Sequence, residues 1–303
     1  MDTPHFDLDF EPAYGEAVKV AEGVWRITCN NPSPFTFAGT NSYLIGRGRD
    51  VALIDPGPEN EAHFEALMRA LKGRRLTHIL VSHTHRDHSP LAARIKAETG
   101  AITVAEGPHR AARPLHAGEV NPFAESSDTA FIPDLALADG AVVEGDGFTL
   151  SAIHTPGHTA NHTGFALEDS GILFSADHVM AFATTVVAPP DGSMGDFMAS
   201  LEMLLGRQDR IFFPGHGGPV ADPPAFLRGL RTHRRMRERA ILERVKAGDT
   251  AIADMVATIY ASTDVRLHGA AALSVLAHLE DLVARGQVIC EGPPGLSSRY
   301  RPG

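Results

Sequence analysis

Short apolar runs alternate with glycine, proline, asparagine and aspartate along the first 220 residues of the chain. Runs of this kind, when they are rich in β-branched and aromatic residues, are typical of strands. They predict strands at 24–30, 42–46, 50–55, 78–83, 101–105, 148–154, 163–167, 171–175 and 211–213. Apolar residues at helical spacing predict amphipathic helices at 59–72 and 196–205. This order predicts a mixed α/β fold with helices outside packed sheets.

The pattern changes near residue 221. Pro223 and Pro224 suit the first turn of a helix and cannot continue an earlier one, and the helical pattern after them runs to Lys246. Two more predicted helices, at 252–260 and 269–285, precede two strand-like runs that flank a Gly/Pro/Ser loop. Helices followed by a small hairpin resemble a winged helix. We therefore expect one domain at 1–220, and a linker helix with a small winged-helix-like α+β domain at 221–303.

Composition narrows the class of protein. Of 303 residues, 43% are hydrophobic and 21% charged, which is ordinary for a globular chain and excludes bulk disorder. The most apolar stretch we identify, 180–190, is shorter than the roughly 20 residues of a membrane helix. The acidic amino terminus lacks the pattern of a secretory signal, so we expect a cytoplasmic protein without a membrane partner.

Charge is unevenly distributed along the chain. A formal net charge of −10 argues against nonspecific binding to nucleic acid. Basic residues are nevertheless in excess after residue 221, whereas the preceding part is acidic. The two predicted regions therefore differ electrostatically.

Histidine and aspartate cluster directly after a predicted strand, in the motif HTHRDH at residues 83–88. Strand alternation would place His83 and His85 on one side. Asp87 and His88 are expected to begin the next helix, so that four side chains of metal-ligand type converge from one turn. Three further candidates also follow apolar runs: His158 in HTPGHT, Asp177 in LFSADH and His216 in FFPGHG.

Imidazole and carboxylate groups are the ligands that suit zinc, iron or manganese. Two metals that share a bridging hydroxide need six or more such donors. Five histidines and two aspartates meet that number. The sequence therefore predicts a site for two divalent metal ions, zinc first and iron or manganese as alternatives.

The motifs HTHRDH, PGHT, SADH and PGHG, in this order, resemble those of the metallo-β-lactamase superfamily. The resemblance implies a four-layer αβ/βα sandwich and metal-dependent hydrolysis by a metal-bridging water. It assigns Asp87 and Asp177 to catalysis as metal ligands. It implies three ligand groups: His83, His85 and His158 for one metal; Asp87, His88 and His216 for the other; and Asp177 as the bridge between them. Asp55, in IDPG, matches an aspartate that orients ligands, although an aspartate before Pro-Gly also suits a plain turn.

A narrower resemblance comes from the segment NPSPFTFAGTNSYLIG and the winged-helix-like tail, which together resemble the β-lactamase-like endoribonuclease subfamily. The segment would overhang the metals, so Thr36 and Asn41 are candidate substrate contacts, although turn and loop packing would account for them equally well. His178, beside a ligand, is another. Arg231, Arg234 and Arg235 form a basic stretch that could contact RNA phosphates, or could simply be a solvated helix face.

These features leave three functions open. The first is a single-strand-specific endoribonuclease. The second is a hydrolase of small esters, namely a thioester or lactone hydrolase of the glyoxalase II or lactonase type. The third is a catalytically inactive nucleic-acid-binding module, which ranks last because all seven ligand positions are filled. The sequence predicts no oligomeric state.

Overall fold

The computed structural model describes residues 4–303. Its α-helices in that range are α1 (Glu61–Ala70), α2 (Leu91–Thr99), α3 (Met194–Leu205), α4 (Pro223–Lys246), α5 (Ile252–Ile259) and α6 (His268–Ala284). Short 3-10 helices lie at Ala124–Ser126 and Val265–Leu267. The strands are β1 (Val18–Ala21), β2 (Val24–Thr28), β3 (Asn41–Ile45), β4 (Asp50–Ile54), β5 (Arg75–Leu80), β6 (Ile102–Ala105), β7 (Leu135–Ala136), β8 (Val142–Gly145), β9 (Phe148–His154), β10 (Thr163–Leu167), β11 (Ile172–Ala176), β12 (Ile211–Pro214), β13 (Val288–Cys290) and β14 (Tyr300–Pro302).

The strands form two large sheets and one hairpin. The first sheet has the order β1-β2-β3-β4-β5-β6-β7, antiparallel up to β4 and parallel beyond it. The second has the order β12-β11-β10-β9-β8, in which β11 and β12 pair in parallel. Every predicted strand overlaps one of these. The apolar pattern missed β1, β7 and β8, because these strands lie at sheet edges and bury few side chains.

Alternating side chains place the two sheets face to face with helices outside. In β3, Tyr43 and Ile45 pack into the core between the sheets, whereas Leu44 packs into the core beneath α1 and α2. Helix α3 and the first half of α4 cover the outer face of the second sheet. This confirms the predicted four-layer αβ/βα sandwich. Because helices or the other sheet cover the faces, the strand ends are the places left for chemistry.

The turn that follows β5 differs from the prediction. Asp87 and His88 do not begin a helix, since α2 starts only at Leu91. The amides of His88 and Ser89 donate to the carbonyl of His85, and that of Leu91 donates to Gly57. These contacts fold residues 85–90 into a tight turn, so Asp87 and His88 leave the chain from the turn itself.

Helix α4 belongs to two cores. Its prolines occupy the first helical turn as predicted, and Asp222 caps it by accepting from the Ala225 amide. Leu227 and Leu230 pack against the sandwich. Farther along, α4 packs with α5, α6 and the β13–β14 hairpin in a separate core. This confirms the expected helical, winged-helix-like region, while the boundary drawn at residue 220 stays a prediction.

The prediction that 180–190 is the most apolar stretch is wrong. The helical segment Val265–Ala284 is 20 residues long and apolar enough, by composition, to cross a membrane. Within α6, Val275, Leu279 and Leu282 are buried in the carboxyl-terminal core. Core packing therefore accounts for this apolar character.

Candidate metal centre

All seven predicted ligands lie at one edge of the sandwich. Strand β5 ends before the turn 83–88, and His158 lies in the connection from β9 to β10. Asp177 and His216 follow the parallel neighbours β11 and β12, whose carboxyl ends meet at the same edge. The two packed sheets therefore bring residues distant in sequence to one place.

Three histidines form the first group. Nε2 of His83 lies 3.0 Å from Nδ1 of His85, which in turn lies 3.0 Å from Nε2 of His158. Three ring nitrogens that point at one another in this way fit ligands of a shared cation. His85 differs from the other two because its Nδ1, not its Nε2, faces the group.

The second group consists of Asp87, His88 and His216, and Asp177 lies between the two groups. Nε2 of His216 is 3.2 Å from Oδ2 of Asp87 and 3.3 Å from Oδ2 of Asp177. The other oxygen of Asp177 is 3.4 Å from Nε2 of His88, and Oδ2 is 3.7 Å from Nε2 of His158. Asp177 therefore faces both groups, as a bridging carboxylate would.

In His158 and His216, the ring nitrogen that faces away from the site is held by a backbone carbonyl. Nδ1 of His158 donates to the carbonyl of Val186 at 2.6 Å. Nδ1 of His216 donates to the carbonyl of Gly39 at 3.1 Å. Because each Nδ1 donates to a carbonyl, Nε2 is the ring nitrogen directed at the site, where it can bind a cation once it is deprotonated.

Asp55 holds a third ring, that of His88. Its carboxylate accepts from the amide and hydroxyl of Ser82 and, at 2.9 Å, from Nδ1 of His88. Asp55 is 1% exposed and adopts a positive φ of 51° at the end of β4. The residue thus occupies a turn and orients a ligand side chain at the same time.

Burial and neighbouring charges set the protonation of the cluster. Burial, then the neighbouring His158, lowers the pKa of His85 to about 3, so this ring is neutral at pH 7. Burial opposes the ionisation of Asp87, but His88 and His216 hold its pKa well below the ordinary value. For His216, burial is outweighed by Asp177 and Asp87, which raise its pKa to about 9. Neutral imidazoles and anionic carboxylates are the forms that bind metal.

The donor set fits divalent metal ions. Nε2 of His88 and Oδ1 of Asp177 are buried atoms without a hydrogen-bond partner among the described residues. Buried polar atoms are nearly always paired, and both of these atoms point into the cluster. Nitrogen and oxygen donors in this combination suit zinc, iron and manganese.

A cavity of about 450 Å³ opens above the cluster. Five of the candidate ligands form its floor: His85, Asp87, His158, Asp177 and His216. Its walls come from three loops and are mainly apolar, with Phe35, Phe123, Met180, Phe182, Val186 and Ala188. A substrate that reaches the floor therefore passes between apolar walls.

Of the predicted substrate contacts, Thr36 lines the cavity and Asn41 does not. Asn41 is buried, its side-chain oxygen accepts from Thr28, and its amide nitrogen donates to the carbonyls of Pro214 and Gly217. These bonds tie the start of β3 to the end of β12. The expectation of substrate contact is corrected to a structural role, because the side chain is fully engaged.

The expectation that His178 contacts substrate is also corrected, because its ring is buried away from the cavity. Although it follows Asp177 in sequence, it is buried, and its ring lies 4.4 Å from the ring of Phe197 on α3. It does not line the cavity. Adjacent residues at this strand end point to opposite sides, so only Asp177 reaches the site.

The three arginines of the basic stretch do not form one solvated face. Arg231 and Arg235 both pair with Glu202 of α3, at 3.0 and 2.9 Å. Arg234 is only 4% exposed and donates to the carbonyl of Thr185. None of the three lines the cavity. Burial excludes Arg234 from an RNA contact surface in this arrangement.

Sequence reasoning missed most of the cavity walls. Phe123 lies in the long segment between β6 and β7, where no periodic pattern was visible. Asp191 also lines the cavity, accepting from the Asn121 amide and the Ser127 hydroxyl. These bonds join two wall loops. The sequence around Asp191 does not indicate these partners, which lie about 70 positions away in the chain.

Comparison with known proteins places this geometry in context. A family model described as the metallo-beta-lactamase superfamily matches residues 35–216, and one described as the beta-lactamase associated winged helix domain matches residues 251–293. The chain is similar to the beta-lactamase-like protein 2 homolog of Drosophila melanogaster, with 31% identity over 89% of this chain and 91% of that protein.

Two further similarities are informative. The atrochrysone carboxyl ACP thioesterase of Claviceps purpurea is 28% identical over 76% of this chain and 68% of that protein. The crystal structure of a beta-lactamase domain protein from Burkholderia ambifaria matches with a TM-score of 0.79 and 21% identity, over 97% of this chain and 96% of that one. The second similarity extends across nearly the whole fold.

Proposed function

The chain belongs to the metallo-beta-lactamase superfamily and is a metal-dependent hydrolase; from this premise we propose that its substrates are thioesters with an apolar acyl group. The proposal rests on the cavity, which combines a floor of metal-ligand side chains with mainly apolar walls. Similarity to a protein named as an ACP thioesterase supports it. We also propose that the cluster holds two divalent cations, with zinc as the first choice.

Bound divalent cations supply Lewis acidity, which lowers the pKa of water toward neutrality and polarises an acyl carbonyl. The chain's own part is to hold this chemistry in place. Asp87 and Asp177 carry the negative charge that binds cations. The carbonyls of Val186 and Gly39 accept hydrogen bonds from His158 and His216 and so fix their rings. Phe35 and Phe123, in the walls, would exclude water from the acyl group.

The reaction balance favours a thioester. Hydrolysis breaks the carbon–sulfur bond, adds a hydroxyl group to the acyl carbon, and releases a carboxylate, a thiol group and a proton. A thiol has a pKa of about 8.5, so a thiolate departs without a general acid. Glu125 and Asp191 are the carboxyl groups that line the cavity outside the candidate ligands, and loss of a thiolate requires neither of them as a general acid.

Cleavage of single-stranded RNA is the second candidate. The match of residues 251–293 to a winged helix domain and the excess of basic residues after residue 221 favour it. Proteins that bind single strands use a positively charged groove with stacking platforms. Of the described residues that line the cavity, Arg86 is the single Lys or Arg. The cavity is therefore better suited to an apolar group than to a phosphate backbone.

One parallel assay separates the candidates. Metal-replete protein is given hexanoyl and acetyl thioesters of N-acetylcysteamine, a homoserine lactone and labelled single-stranded RNA, and its metal content is measured. The Asp177→Asn variant is the matched control for contaminating activity. We expect about two metal ions per chain, and thioester turnover that disappears in the variant and after chelation. RNA cleavage with the same dependence, and no thioester turnover, would replace the proposal with the second candidate.

A further inference from the structure

A buried arginine connects helix α4 to the metal centre. Arg234 is 4% exposed, and its guanidinium lies 4.9 Å from the ring centroid of Phe197. It donates through Nη2 to the carbonyl of Thr185. No carboxylate of the described residues pairs with it. Burying a charged group costs free energy of folding. We therefore expect this arginine to have a role that an apolar side chain could not fill.

The backbone that accepts from Arg234 also contacts two candidate ligands. The hydroxyl of Thr185 donates to the carbonyls of Asp177 and His178, at 2.7 and 3.0 Å. The next carbonyl, that of Val186, accepts from Nδ1 of His158 at 2.6 Å. Arg234 therefore holds the carbonyl of Thr185, the residue whose hydroxyl contacts the Asp177 backbone and whose neighbour, Val186, contacts the ring of His158.

The same segment borders the cavity. Thr184, Val186 and Ala188 line it, whereas Thr185 is buried beneath. Alternate residues thus face substrate space and the protein interior. A rotation of the peptide at Thr185 would move the Val186 carbonyl and, with it, the ring of His158.

We propose that Arg234 is a positioning residue: it fixes the Thr185–Val186 peptide, and thereby the adjoining Val186 carbonyl, which holds the ring of His158 in the orientation suited to metal binding. The helix that leads into the carboxyl-terminal domain thereby contributes to the metal site without touching the metal or the substrate. The inference rests on the proposal that the cluster binds divalent cations, and it is independent of the substrate proposed above.

The test uses cobalt(II) as both ligand and spectroscopic probe. Apo-protein of the full chain is titrated with Co²⁺ against a competing chelator, and the visible absorption bands are recorded. The variants are Arg234→Met, which removes every donor, and Arg234→Lys, which keeps a cation and one donating group. Arg231→Gln and Arg235→Gln are matched controls, because both residues lie on α4 and pair only with Glu202 in the described structure. Leu230→Ala controls for loss of packing, since Leu230 is buried on α4 against the sandwich.

We expect Arg234→Met to weaken Co²⁺ binding about 10–100-fold, the effect typical of losing a group that orients a ligand, and to shift the absorption bands. Arg234→Lys should lie between this variant and the wild type, and the three controls should bind as the wild type does. Unchanged affinity and spectrum in a folded Arg234→Met would overturn the proposal, as would an equal loss in Leu230→Ala. If Arg234→Met does not fold, Arg234→Lys decides by the same criteria. Failure of both to fold would assign Arg234 to stability and overturn it as well.

Discussion

At the end of strand β4, one carboxylate sets the direction of a candidate ligand. Asp55 accepts from Ser82 and from Nδ1 of His88, so the Nε2 of His88 is directed at Asp87 and Asp177. A carboxylate in this position fixes the tautomer and raises the basicity of the ligating nitrogen. Asp55 would therefore act on a bound metal through the ring that it holds.

We predict that Asp55→Asn lowers metal affinity about 10–100-fold while the fold survives. The amide keeps the shape of the side chain but has one acceptor oxygen, whereas the native carboxylate uses both oxygens on Ser82 and His88. The measurement is metal affinity by chelator competition, with circular dichroism to monitor the fold. Asp128→Asn is the control, because Asp128 accepts from Ser89 in the same region without contacting a candidate ligand ring. Equal affinities in the two variants would contradict the prediction.

Residue type and spacing were enough to predict that seven side chains of metal-ligand type cluster, because they follow strands whose ends converge. Residue type and spacing did not predict the direction of the side chains next to these residues in sequence. His178 is adjacent to Asp177 yet packs on Phe197. Arg234 is buried, although Arg231 and Arg235 on the same helix pair with the exposed Glu202. The direction of such side chains depends on tertiary contacts that are far apart in sequence.

Three loops, rather than helices or strands, shape the access to the site. Phe35, Phe123 and Phe182 come one from each loop, and Asp191 ties two of the loops together through Asn121. Loops lack the periodicity that marks helices and strands. The mixed α/β layering could therefore be predicted from the apolar pattern, and the four-layer sandwich from the motif resemblance, whereas the edge strands and the cavity walls could not.

The apolar side chains of the wall loops lead to a prediction about which acyl groups the protein prefers. We expect Phe123→Ala to lower kcat/KM for a hexanoyl thioester about 10-fold relative to an acetyl thioester, the effect of losing apolar contact with part of a chain. Steady-state kinetics on both substrates measure this ratio. Val120→Ala is the control, because Val120 lies in the same segment, is 82% exposed and does not line the cavity. An unchanged ratio in Phe123→Ala would remove this wall from substrate recognition.

On the scale of the whole molecule, the carboxyl-terminal region is attached to the sandwich by apolar and ionic contacts. Leu227 and Leu230 of α4 pack into the sandwich. From the other side, Arg113 of the long segment after β6 pairs with Glu280 of α6 at 2.6 Å and with Glu119 at 2.7 Å. Both regions therefore share contacts that neither would keep alone.

These contacts predict that the sandwich is not autonomous. A chain ended after Val220 would lose Leu227 and Leu230, each worth about 1.5–3 kcal/mol when fully buried, or about 3–6 kcal/mol together. That is a large part of the roughly 5–15 kcal/mol that stabilises a typical domain. We expect a lower Tm, binding of a hydrophobic dye and aggregation.

A chain ended after Ala247 is the informative comparison, because it retains all of α4, including Arg234, and lacks α5, α6 and the hairpin. It keeps the two leucines on the sandwich but exposes Ile241 and Val245, which pack in the carboxyl-terminal core. Thermal unfolding and size-exclusion chromatography compare both chains with the full one. If the chain ended after Val220 stays monomeric and melts at the temperature of the full chain, the contacts of α4 contribute no stability to the sandwich. Metal affinity is measured on both shortened chains. If both fold but only the chain ended after Val220 binds metal more weakly, α4, which carries Arg234, is the element that supports metal binding.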